Sequence, residues 1–107
     1  MISRLAAVSA AIAVMAGAFG AHGASGRAAE WLKTGGEYEL IHAVGALVAA
    51  SVLRAPLAAM LLLAGSLLFA GTLYAMALGF PHWLGAITPI GGAGMIAGWV
   101  LLAFKGK

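Results

Sequence analysis

Long apolar runs alternate with short polar stretches along the whole chain, and the runs cover residues 2–21, 38–54, 57–79 and 83–104. An α-helix rises about 1.5 Å per residue and crosses about 30 Å of hydrocarbon with roughly 20 residues, so each run approaches or reaches a bilayer's thickness. Between the first two runs lies the one long polar connector, residues 22–37, which holds Arg27, Glu30, Lys33 and Glu37. Ser25 is placed to cap a helix there, Arg27 to Lys33 forms two amphipathic turns with Trp31 at headgroup level, and Gly35-Gly36 is expected to stop them. The Arg54-Ala55-Pro56 sequence predicts a tight turn with proline opening the third helix, and Thr88-Pro89 predicts a break in the fourth. Segments of about ten residues alternating apolar and polar, the mark of a membrane β-barrel, are missing. The fold expected is all-α: an integral membrane four-transmembrane-helix bundle with a short interfacial helix between helices one and two, in a single membrane domain over residues 1–107.

Small residues recur at helical spacing in every run. Ala13, Gly17 and Ala21, then Gly45 with Ala49, Gly71 with Ala75 and Gly79, and Gly94 with Gly98 predict smooth stripes where helices approach closely.

Composition reinforces this reading. Of the 107 residues 64% are hydrophobic and 8% charged, against about 25% charged in soluble domains. The first run, with Arg4 ahead of an apolar core and small residues after it, also fits a secretory signal peptide, but three further apolar runs favour a span. Cysteine is absent, which removes thiol catalysis, thiolate metal sites and disulfides. The net charge of +3 does not point to nucleic acid. Four of the six basic residues, Arg4, Arg54, Lys105 and Lys107, fall at the ends of runs on one side, and Arg27 and Lys33 fall on the other. The positive-inside rule then puts both termini of this multi-pass protein in the cytoplasm. The connector, His22, His42, His82, Tyr74 and Pro89 gather at the outer side.

Catalytic chemistry finds little support. Glu39 and His42 are three apart on one helix face, the spacing of di-iron bundles, but a single copy without glutamates in the other spans does not complete such a site. His22, His42 and His82, with Glu39, are the candidate metal ligands, set against structural roles as caps and helix bridges. No GxSxG elbow, P-loop or aspartate is present, so no enzyme activity and no cofactor are expected. Size and span number are similar to those of small multidrug-resistance transporters, yet their acid in the first helix has no counterpart between Leu5 and Ala21.

The motifs GAFGAHG closing the first span, EYELIHAVGAL opening the second, GTLYAMAL in the third and WLGAITPIGG opening the fourth resemble, in order and spacing, the family called domain of unknown function 423. The resemblance implies a four-helix inner-membrane protein of unassigned activity. It carries the family's recurring positions onto Gly17, Phe19, Gly20, Ala21, His22, Tyr38, His42, Tyr74, Trp83, Gly85, Ala86, Thr88, Pro89, Gly91 and Gly92, so that His22, Tyr38, His42, Tyr74, Thr88 and Pro89 form a polar cap. Relatives commonly have glutamine where this chain has Glu39 and an aromatic residue where it has Ile41. The function expected is a non-enzymatic interaction or accessory subunit. Its partners are the lipid bilayer and a homo-oligomer or larger complex met through Gly/Ala faces; the alternative is a small-solute or metal-handling transporter using the His/Tyr cluster.

Overall fold

The structure, a computed structural model, describes residues 1–105, so Lys107 of the expected charge cluster lies outside the described residues. Four helices follow one another: α1 (Ile2–His22), α2 (Gly26–Ser51), α3 (Pro56–Ala77) and α4 (Thr88–Lys105), with a five-residue 3₁₀ turn at His82–Ala86 ahead of the last. No strand occurs among the described residues. Three stretches are long and apolar enough to cross a membrane, namely Ile2–His22, Pro56–Ala77 and His82–Lys105. α2 differs because the charges between Arg27 and Glu39 lie inside it.

Each helix packs on the next in the chain, whereas α1 and α4 do not pack on one another. Ala6, Ala46, Ala49, Ala59, Leu62 and Leu63 form the core at one end, flanked by Ile2, Ala50 and Leu102. Since Ile2 opens α1 and Leu102 closes α4, the helices run alternately up and down, over a length of 44 Å. Outer faces stay uncovered: Leu5, Val8, Ile12, Met15 and Phe19 on α1, and Ile90, Ile96, Val100 and Phe104 on α4, are all exposed. Lipid tails are as apolar as these side chains, so in a bilayer this exposure carries no hydrophobic penalty.

The interfacial helix expected as a separate element is instead the first part of α2. Ser25 occupies the N-cap position, although its side chain makes no cap bond, and the helix continues unbroken through Gly35-Gly36. Both glycines are buried, and their role is close approach. A Cβ at Gly36 would stand 3.0 Å from the Ala13 carbonyl oxygen of α1, and one at Gly35 would stand 2.7 Å from the Tyr74 ring of α3. The glycine pair is therefore a seat for two neighbours, which holds it helical despite its low propensity.

Proline behaves as expected at both sites. Pro56 opens α3 after a turn in which Arg54 takes a left-handed backbone (φ 53°), and Pro89 falls in the first turn of α4, separated by the 3₁₀ turn from α3. The expected small-residue stripes meet neighbouring helices at Ala13, Gly45, Ala49 and Gly98, but three of their positions do not. Gly71 is exposed with open space at its Cβ position, Gly79 lies beyond α3, and Ala21 is exposed. Contact between α3 and α4 centres on Gly65 and Gly91, where a Cβ on Gly91 would come within 2.5 Å of the Phe69 backbone nitrogen.

Candidate functional site

Three polar groupings interrupt the apolar interior, and α2 contributes to two of them. The first is built on Glu39 at the midpoint of α2. It is 1% exposed, and its two carboxylate oxygens are taken by different helices: Ser9 of α1 donates to Oε2 at 2.6 Å, and Tyr74 of α3 donates to Oε1 at 2.6 Å. Local geometry explains the meeting. Helical side chains lean toward the N-terminus of their helix, so Tyr74, near the upper end of α3, sends its ring back over Gly35 and its hydroxyl one turn deeper, to Glu39. Ser9 shares the face of α1 that buries Ala6 and Ala13, which allows a short side chain to reach α2. Hydrogen bonds to charged acceptors contribute about 1.5–3 kcal/mol each, so this three-helix knot offsets part of the cost of burying the carboxylate.

The second grouping is centred on His42, one turn further along α2 and also buried. The indole N–H of Trp99 in α4 donates to Nε2 at 2.9 Å. An indole nitrogen only donates, so Nε2 is the unprotonated nitrogen, and Nδ1–H donates to the Tyr38 carbonyl at 2.6 Å. Both ring nitrogens are committed. Gly45 makes room for the indole, because a Cβ there would stand 2.9 Å from it. Tyr38 stacks on His42 at 6.1 Å between ring centroids and meets Phe69 of α3 at 4.7 Å.

In the third grouping the Thr72 and Thr88 hydroxyls are 2.6 Å apart, and the Phe69 and Leu84 carbonyls lie at 2.9 and 3.3 Å from them. This ties the start of α4 to α3 just where the chain has left its 3₁₀ turn. No buried side-chain nitrogen or oxygen among the described residues lacks a partner.

The remaining expected positions are dispersed. His22, the last residue of α1, is exposed, and His82 lies at the start of the 3₁₀ turn with its ring edge-on to Trp31 at 5.3 Å. Glu39 and His42 share a face yet bond to different helices, and Pro89 is exposed beside Thr88. Among the described residues no three His, Cys, Asp or Glu side chains are placed together to hold a metal ion. Ser9 and Trp99 were not singled out by the sequence. Ser9 did carry a signal, as a hydroxyl on the small-residue face of helix one; Trp99 reads from sequence as one more apolar residue.

The family model described as "Protein of unknown function (DUF423)" matches residues 16–92, a stretch that includes Glu39, His42, Tyr74 and Thr88. The chain belongs to the DUF423 family. Among its relatives, the DUF423 chain is 42% identical over 109 residues to a UPF0382 membrane protein of Haemophilus influenzae, covering 94% of this chain and 88% of that one. It is 37% identical to the UPF0382 membrane protein YwdK of Bacillus subtilis, with 92% and 89% covered. It is 36% identical to the UPF0382 inner membrane protein YgdD of Escherichia coli, with 91% and 82% covered. No solved structure matches the DUF423 chain. It is a membrane protein of a family without an assigned activity, as the motifs in its sequence led us to expect.

Proposed function

We propose that this DUF423 protein is a non-enzymatic interaction or accessory subunit of the bacterial inner membrane, crossing it four times with both termini cytoplasmic. The observation that carries the reading is the division between a closed interior and open edges. Inside, Glu39, His42, Thr72 and Thr88 spend their hydrogen bonds on neighbouring helices, as expected of groups that fix how helices pack. Outside, α1 and α4 each pack on one side only, leaving two apolar helix faces for further helices, either from a second copy or from another membrane protein. In this reading α2 crosses the bilayer with its charged first turns outside. Its 26 residues span about 39 Å, which exceeds the hydrocarbon thickness.

Native mass spectrometry of gently extracted protein tests the proposal. A defined oligomer or a stoichiometric partner is expected, and a lone monomer without a partner counts against it. Reporter fusions at the C-terminus test orientation, with cytoplasmic activity expected. A transport role is the second reading, favoured by one feature: Glu39 is a carboxyl held inside the bundle. Flux in proteoliposomes that disappears in Glu39→Gln supports transport, and flux unchanged by Glu39→Gln or His42→Ala removes that reading.

A further inference from the structure

A groove of about 260 Å³ opens between α3 and α4 at the end of the bundle that holds the N-terminus, remote from the three polar groupings. Its floor is apolar, from Leu57, Ala58 and Leu101, and its two charged lining residues, Arg54 and Lys105, are both cations. These come from different elements, the turn before α3 and the last turn of α4. The turn is closed by the Ala55 amide bonding to the Ala49 carbonyl at 2.7 Å, and the buried Ala55 anchors the backbone beside Arg54. The groove also faces the start of a 22-residue helix whose N-cap, Ala55, supplies no side-chain acceptor. Pro56 has no amide hydrogen, so Leu57 and Ala58, both in the groove wall, carry the first free N–H groups of α3.

Two cations and helix-terminal amides above an apolar floor are complementary to one chemistry, an anionic headgroup with a hydrocarbon tail. We propose that this groove binds an anionic phospholipid, with its phosphate held by Arg54 and Lys105 and the first part of one acyl chain lying against Leu57 and Leu101. The proposal rests on the chain lying in a bilayer. Free phosphate would satisfy the cations but leave the apolar floor unused, whereas a zwitterionic lipid would bring its own cation toward two others. Charges that only orient the protein need no groove between them, and basic pockets between helices are the setting in which anionic headgroups bind.

The test is native mass spectrometry of the full chain in detergent, titrated with phosphatidylglycerol or with phosphatidylcholine of the same acyl chains. Phosphatidylglycerol is expected to bind roughly twenty-five-fold tighter, from about a fivefold contribution per basic side chain near the surface. The double variant Arg54→Gly, Lys105→Ala should abolish that preference while retaining the weaker phosphatidylcholine binding. Glycine adopts the left-handed backbone of position 54 without strain, and Lys105 is exposed, so the fold should survive. If the double variant does not fold, Lys105→Gln alone should lower the preference several-fold. Arg4→Ala, which removes a cation that does not line the groove, should leave the preference intact. The proposal fails if the wild type binds the two lipids equally or if the double variant keeps its preference. It also fails if Arg4→Ala has the same effect as the double variant, or if millimolar inorganic phosphate displaces phosphatidylglycerol.

Discussion

Glu39 is held by two hydroxyl donors from two other helices, and those donors set what its replacement should do. Glutamine keeps one acceptor oxygen and supplies an amide donor to which a rotated hydroxyl can bond, so Glu39→Gln should cost less than about 1 kcal/mol. Glu39→Ala strands both hydroxyls and opens a cavity, with an expected loss of about 3 kcal/mol. Tyr74→Phe leaves one carboxylate oxygen unpaired and should cost about 2 kcal/mol. Reversible unfolding in mixed micelles measures all three. Equal losses for the glutamine and alanine variants would contradict the hydrogen-bonded knot. Neighbouring His42 answers to a different partner: Trp99→Phe removes its indole bond. That change should shift the His42 ring resonances in NMR while leaving the signals around Glu39 in place.

At the scale of elements, glycine position decides which helices touch. Gly91→Ala drives a Cβ to 2.5 Å from the Phe69 backbone nitrogen, which no side-chain movement relieves, so α3 and α4 must separate at a cost of about 1–3 kcal/mol. Gly71→Ala meets open space and should be near neutral in the same unfolding assay, although Gly71 belongs to an equally regular small-residue pattern. The continuity of α2 has its own signature. Amide exchange at Gly35, Gly36 and Glu37 should be as slow as in the flanking turns, since all three lie inside one helix; rapid exchange confined to these residues would restore the separate interfacial helix.

Across the whole molecule, the row of helices has two edges that the chain does not cover itself. Because cysteine is absent, single introduced thiols report on those edges without background. Ala11→Cys on α1 and Ala97→Cys on α4, both exposed, should cross-link between copies or to a partner in native membranes, and the fully buried Ala46→Cys should not. Absence of cross-links at both exposed positions would indicate that lipid alone covers these faces.

The resemblance of four motifs pointed to the family, while apolar runs, prolines and the scarcity of charge sufficed, by themselves, to identify a helical membrane chain and its turns at Pro56 and near Thr88, because hydrocarbon thickness and missing amide donors act on local sequence. They also marked Glu39, His42, Tyr74 and Thr88 as polar residues in apolar surroundings. Their partners were not legible. Ser9 and Trp99 are separated from theirs by 30 and 57 positions, and the pairing depends on helix rotation and register that no local pattern encodes. The same holds for Gly35-Gly36. A glycine pair has the local preference of a stop, and only the arrival of Ala13 on one side and Tyr74 on the other turns it into the interior of a helix. Backbones that pack this closely gain more in contact than the pair loses in propensity, and that balance exists only in the tertiary structure.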